Sequence, residues 1–197
     1  MEQFGDAVIL CGGASSRMSY DKSFIRIGDR YLVELLAEKL SSCFTKVRLG
    51  SSSAEKLCVF SLEVVEDLLE GRIGPAVGIY SALKNANSEY VFVTACDMPY
   101  IDPSHIEFMK QKIHQNEYYV DALVPINGRY IEPLYSFYSI RLIERFEEEI
   151  LAGNFKIHSI LKECNVLYLD DSYSRQFDAD LKMFSNINYD TDLEKFR

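Results

Sequence analysis

AVILCGGASSRMSYDKS, residues 7–23, is an apolar run followed by a small-residue loop that carries an arginine and a lysine. Ala7-Val8-Ile9-Leu10 reads as a short buried strand. The loop that leaves it holds Gly12, Gly13, Arg17 and Lys22, in a chain whose net charge is −9. Two glycines permit backbone angles and a close approach that a Cβ would block. Successive amide N–H groups in such a turn form a concave anion site. Arg17 and Lys22 add charge, and an arginine fork can bridge two phosphate oxygens. The glycines alone fit a flexible strand-to-helix connection with solvated charges equally well. The spacing matches neither the Walker loop nor the dinucleotide G-x-G-x-x-G.

Outward from this stretch, strand and helix alternate. Residues 31–40 read as a helix with Leu32, Leu35, Leu36 and Leu40 on one face. Strands follow at 46–49 and, short, at 64–65, ending at Glu66-Asp67. Gly71, Gly74 and Gly78 surround Pro75 and read as a tight turn into a helix carrying Val77, Ile79, Tyr80 and Leu83. Tyr90–Ala95 is continuously apolar, as expected of a parallel strand covered on both faces. Asp102-Pro103-Ser104 starts a helix. Beyond it the spacing predicts a strand at 121–125, a β stretch at 131–138 and a helix at 139–151. A short helix at 157–161, a strand at 166–169 and a closing helix at 190–196 complete the reading. The alternation implies an α/β fold: a doubly wound, mostly parallel sheet with helices on both faces.

With 197 residues, 48% hydrophobic and 26% charged, the chain reads as one domain with a full core. Cys11, Cys43, Cys58, Cys96 and Cys164 form no C-x-x-C and none sits beside a histidine, which argues against zinc. Scattered thiols, no leader and no run of 18 apolar residues predict a cytoplasmic protein with no membrane contact. The acidic balance argues against nucleic-acid binding. His105, His114 and His158 lack partners at triad spacing. Glu147-Glu148-Glu149 reads as a solvated helix face, and the tyrosine-rich tract 130–138 as cross-strand packing.

In open α/β sheets ligands sit outside the carboxyl ends of the strands. That rule points to residues 11–22, Glu66-Asp67 and Cys96-Asp97-Met98. A lone carboxylate such as Asp97 suits magnesium, which binds one or two carboxylates together with substrate phosphates and water. It equally suits an aspartate capping the next turn, and Glu66-Asp67 carries the same ambiguity.

Together these segments are more specific. Leu10 to Lys22 closely resembles the L-x-G-G-x-S-x-R-M-G-x-D-K signature of the nucleotidyltransferase family, and the whole chain resembles its molybdenum cofactor guanylyltransferases. Val64-Val65-Glu66-Asp67 with Gly74-Pro75-Ala76-Val77-Gly78, Ala95-Cys96-Asp97-Met98-Pro99, Glu132-Pro133-Leu134-Tyr135, and Asn186-Ile187-Asn188 with Asp192-Leu193 resemble further family segments in order. Two positions depart. Ser19 replaces the usual glycine, and Leu49-Gly50-Ser51-Ser52-Ser53 stands where the family often has a nucleotide-contacting Asn, with Ser51 or Ser52 as substitute. Cytidylyltransferases usually show Ala-Ala-Gly at 11–13 and lack the Gly-Pro-x-x-Gly turn.

The resemblance implies a Rossmann-like nucleotidyltransferase fold, with a nucleotide-binding half at about 1–100 and an acceptor-binding half at about 101–197. It implies transfer of GMP from GTP to the terminal phosphate of molybdopterin, with Mg²⁺ as cofactor. Arg17, Lys22 and Asp97 are the implied catalytic residues. Leu10, Cys11, Gly12, Gly13, Lys22, Ser51, Asp67 and Asp97 would bind nucleotide, Asp97 would hold the metal, and Lys156, Asn186 and Asn188 would face the acceptor. Other molybdenum cofactor biosynthesis proteins or target molybdoenzymes are implied partners. Another small-molecule nucleotidyltransferase (cytidylyl or sugar-phosphate) or a non-catalytic nucleotide-binding protein are the alternatives.

Overall fold

Which face of each strand is apolar decides how the chain winds. The computed structural model describes residues 1–12, 21–69, 71, 74–189 and 191–192. In chain order these form β1 (Asp6–Leu10), β2 (Arg26–Ile27), β3 (Arg30–Tyr31), α1 (Leu32–Leu40), β4 (Lys46–Ser51), β5 (Val64–Glu66), α2 (Pro75–Lys84) and β6 (Tyr90–Ala95). Then come α3 (Pro103–His114), β7 (Ala122–Asn127), β8 (Tyr130–Ile131), β9 (Tyr135–Ser139), α4 (Ile143–Leu151), α5 (Ile157–Ile160), β10 (Val166–Leu169) and α6 (Asp171–Ser174).

The main sheet runs β10-β7-β9-β6-β1-β4-β5, with β8 paired to β7. β6, β1, β4 and β5 are mutually parallel, as are β7 and β10; β9 runs antiparallel to both its neighbours. Every residue of β1 and β6 is buried, because both faces are covered. Ala7 and Ile9 pack with Leu36 and Leu40 of α1 and Met109 of α3; Val8 and Leu10 pack with Val77 and Leu83 of α2 and Phe146 of α4. The result is the mostly parallel, two-sided sheet that the alternating pattern predicts.

Several local expectations change. The helix expected over 139–151 begins at Ile143. Ser139 ends β9, and its hydroxyl accepts the Arg141 N–H at 3.2 Å to start a 3-10 turn. The β stretch expected over 131–138 is broken at Glu132-Pro133-Leu134. Gly78 belongs to no turn; it lies inside α2, where a Cβ would stand 2.9 Å from Leu10 Cδ2. A Cβ on Gly50 would meet the same methyl at 2.8 Å, so the two glycines let β4 and α2 close on Leu10. In the tyrosine tract, Tyr135 and Tyr138 are buried as expected, with Tyr135 edge-on to Phe92 at 5.2 Å, whereas Tyr130 is exposed. The closing helix expected over 190–196 falls largely outside the described residues.

At the amino edge of the sheet, Asp6 of β1 and Arg48 of β4 form a buried ion pair. Arg48 Nη1 donates to the Asn85 carbonyl at 2.6 Å, and the Asp6 carboxylate accepts from Ser88 Oγ and Asn87 N, each at 2.7 Å. Burial works to raise the Asp6 pKa, but the Ser88 hydroxyl, the Asn87 amide and Arg48 together hold it below the ordinary carboxylate value.

Candidate active site

Register gathers the site. Leu10 pairs with Gly50 on one side and Ala95 on the other, and Ser51 pairs with Glu66. The parallel strands therefore end together, placing Gly12, Ser51-Ser52, Asp67 and Asp97 along one edge. Two hollows open there. One, of about 130 Å³, is lined by Gly50, Ser51, Ser52, Asp67 and Pro75 among others. The second, of about 190 Å³, is lined by Asp21, Lys22, Cys96, Asp97 and Asn186. Both share Leu10, Gly12, Ala95 and Leu134, so they are two ends of one cleft.

Charge concentrates in the second hollow. Lys22 opens a 3-10 turn whose cap, Asp21, accepts the Ser23 N–H at 3.0 Å. The Lys22 ammonium lies 2.7 Å from Asp97 Oδ2 and donates to Asn188 Oδ1 at 3.1 Å. The segment carrying Asn188 is laced on independently. Ile187 N donates to the Asp97 carbonyl at 2.8 Å, and Asp192 Oδ2 accepts from Asn188 N and Tyr189 N at 3.0 and 3.1 Å. Asp97 and the Asn188 amide oxygen are hard donors, the kind magnesium takes alongside phosphate and water. Among the described residues no three His, Cys, Asp or Glu side chains cluster for a metal.

At the other end, Asp67 N donates to the Ser51 carbonyl at 3.1 Å, and burial pushes the Asp67 carboxyl above its ordinary value. The Ser51 hydroxyl is engaged in its own turn, accepting from Ser53 N at 3.1 Å; exposed Ser52 also lines the hollow. The structure thus unites Leu10, Gly12, Lys22, Ser51, Asp67, Asp97, Asn186 and Asn188. Cys11 is different: its amide donates to the Gly50 carbonyl at 2.7 Å, its side chain is buried and it lines neither hollow. Its thiol partners Cys96; that contact first, then burial, pushes the Cys96 thiol well above its ordinary pKa. Lys156 is exposed at the start of α5 and lines neither hollow. Gly13, Arg17 and Ser19 lie outside the described residues.

Sequence reasoning passed over how one wall is built. β8 and β9 lie end to end along β7. Ile131 pairs with Ile126 and Phe137 with Leu123, so six steps on one side oppose three on the other. The surplus is a bulge at Glu132-Pro133-Leu134. Tyr135 pairs with Thr94, which sets the bulge level with Asp97, one strand over, and Leu134 lines both hollows. The signal was present as Pro133, which interrupts a β pattern and is tolerated at bulges.

Comparisons with known proteins bear on the family and the fold. A family model described as MobA-like NTP transferase domain matches residues 7–167. The probable molybdenum cofactor guanylyltransferase of Peptoclostridium acidaminophilum is 36% identical over 197 residues, covering 98% of this chain and 88% of that one. The molybdenum cofactor guanylyltransferase of Syntrophotalea carbinolica is 36% identical, covering 99% and 91%. The crystal structure of molybdopterin-guanine dinucleotide biosynthesis protein A from Archaeoglobus fulgidus superimposes with a TM-score of 0.83 at 31% identity, covering 97% and 96%. No helix among the described residues is long and apolar enough to cross a membrane.

Proposed function

The chain belongs to the MobA-like NTP transferase family, and from that premise we propose that it transfers GMP from GTP to the terminal phosphate of molybdopterin. The observation that carries the reading is the Lys22, Asp97 and Asn188 cluster at 2.7 and 3.1 Å, beside Gly12 and continuous with the hollow at Asp67. An ammonium and a carboxylate at the mouth of a cleft suit phosphoryl chemistry, which needs positioning and charge neutralisation more than covalent help.

A phosphate oxygen of molybdopterin attacks the α-phosphorus of GTP. A new P–O bond forms, the bond to the β-phosphate oxygen breaks, and pyrophosphate leaves with the electron pair. The attacking phosphate is already ionised, so no general base is required. Gly12, Gly13 and Arg17 hold the triphosphate. Lys22 stands at the α-phosphate, where its charge is worth most in the transition state. The Leu10 backbone, Asp67 and the Ser51-Ser52 turn meet the nucleoside. Asn188 and Asn186 orient the phosphates on the acceptor side, and Lys156 reaches the acceptor's own phosphate. Asp97, with Asn188, would hold Mg²⁺, which would supply neutralisation of phosphate charge there. Molybdenum cofactor biosynthesis proteins or recipient molybdoenzymes are the natural partners for delivery, in the cytoplasm.

The test is a thermal-shift series with the four nucleoside triphosphates and Mg²⁺, followed by a transfer assay with molybdopterin. A ligand at 100 times its Kd stabilises the native state by about 2.7 kcal/mol. GTP alone should raise the Tm appreciably, and chelation of Mg²⁺ should remove most of the rise. Selective stabilisation by CTP would overturn the guanine assignment.

A further inference from the structure

A lysine is an ammonium on a flexible stem, so whatever holds the Lys22 head decides where its charge is spent. The ammonium has three N–H donors. One goes to Asp97 Oδ2 at 2.7 Å and one to Asn188 Oδ1 at 3.1 Å. With two tetrahedral directions taken, the third is set as well, and Lys22 lines the hollow it shares with Asp97 and Asn186. We propose that Asp192 is a positioning residue for this lysine: it sets the Asn188 amide, the amide holds the ammonium, and the third N–H is thereby aimed at the reacting phosphate. The inference rests on the guanylyl-transfer reading.

The two acceptors that hold Lys22 differ in what supports them. Asp97 stands just past β6, every residue of which is buried. Asn188 lies in neither strand nor helix. Its segment is anchored upstream, where Met183, Phe184 and Ile187 are buried and Ile187 N donates to the Asp97 carbonyl at 2.8 Å. Past Ile187 the chain turns outward, and Tyr189 is exposed.

The Asp192 side chain closes that turn. Its Oδ2 accepts from Asn188 N at 3.0 Å and from Tyr189 N at 3.1 Å, and Asp192 N donates back to the Tyr189 carbonyl at 2.9 Å. The two amides flank the Asn188 Cα. Drawing both to one oxygen restricts φ and ψ of Asn188, and those angles set the direction of its Cβ and so of its amide oxygen. Hydrogen bonds to an ionised acceptor are among the strong ones. Asp192 itself lines neither hollow, so it acts through Asn188 rather than on a ligand.

The experiment measures kcat for GMP transfer to molybdopterin in Asp192→Ala, Asp192→Asn, Asn188→Ala and the Asp192→Ala/Asn188→Ala pair. Each rate is taken per GTP-binding site counted by titration, so a variant that folds in low yield still reports. Asp192→Ser, whose hydroxyl falls short of the two amides, replaces Asp192→Ala if that variant does not fold. Asp192→Ala should lower kcat by about tenfold to thirtyfold, the scale of losing hydrogen bonds to a charged acceptor, and leave the GTP dissociation constant within about twofold. Asp192→Asn keeps an oxygen in the same place and should bring kcat back to within about threefold of the unmutated protein. In the Asn188→Ala background the link is already cut, and Asp192→Ala should cost less than about twofold more. Full kcat in Asp192→Ala would overturn the proposal, as would a loss that multiplies with that of Asn188→Ala. Failure of Asp192→Asn to recover would overturn it too, by making charge rather than a placed oxygen the cause. Absence of GMP transfer by the unmutated protein would sink the underlying reading and this proposal with it, whereas transfer indifferent to Asp192 sinks the proposal alone.

Discussion

Strands β1, β4 and β6 carry an ion pair near each end. At the amino edge, the Arg48 and Asp6 side chains are 2% and 1% exposed; at the carboxyl edge, Lys22 and Asp97 are 21% and 14% exposed. The first pair is closed to solvent: Ser88 and Asn87 donate to the Asp6 carboxylate and the Asn85 carbonyl accepts from Arg48, whose Nε has no hydrogen-bond partner among the described residues. The second opens onto a cleft, and its members come from a 3-10 turn and a strand end rather than from the strands themselves. The same chemistry is closed off where burial and neighbours complete it, and left open to a cleft where the proposed function would bring a ligand.

The largest effect should come from breaking the carboxyl-edge pair. Lys22→Ala or Asp97→Ala should each lower guanylyl transfer by about a thousandfold, as loss of transition-state charge stabilisation does, and shift the Tm only slightly. Near-full activity in both variants would remove the distinction between the two edges. The amino-edge pair should fail in the opposite way. Arg48→Met leaves a buried carboxylate without its cation and should destabilise the fold by about 3–5 kcal/mol in urea titrations, while kcat/KM of the folded protein holds. Lost activity without lost stability would make Arg48 part of the site.

His105 sharpens the comparison with a smaller effect, because its burial outweighs the opposing charge of Asp102. Its Nε2 lies 3.0 Å from Ser174 Oγ, Nδ1 has no partner among the described residues, and burial lowers its pKa to about 4. The folded state keeps the ring neutral, while the unfolded chain takes up a proton near pH 6.5. The stability His105 contributes is therefore present above pH 6.5 and lost as pH falls toward 4. Between pH 7 and pH 5 the protein should lose about 2 kcal/mol more than a His105→Gln variant does. Identical pH slopes would show that burial alone does not set this group's behaviour.

Much of this was legible in residue order. Apolar runs marked β1 as a short strand and β6 as covered on both faces, and leucine spacing marked α1. The strand-end rule pointed to residues 11–22, Glu66-Asp67 and Cys96-Asp97-Met98, and Gly12, Asp67 and Asp97 do meet along one edge; the loop's residues alone left a phosphate site and a solvated connection equally open. What escaped reading is what only pairing decides. An apolar strand carries no sign of its direction, so β9's reversal was invisible, and with it the wall that Leu134 forms. Gly78 looked like turn chemistry because its reason is a methyl of Leu10, 68 positions away in the chain by their numbers. Arg48 drew no reading at all, since nothing local announces Asp6 as its partner. Cys11 looked like part of the loop, but its amide and side chain belong to the sheet and core.

The contact between Lys22 and Asn188 spans 166 residues. On the ribosome Lys22 emerges early, whereas the amide that receives it is translated only after every strand of the sheet. A nascent chain halted after β10 would hold all the sheet's hydrogen-bonding partners and still lack the Asn188 carbonyl. Translation through Asn188 thereby becomes a condition for completing the hydrogen bonds around Lys22.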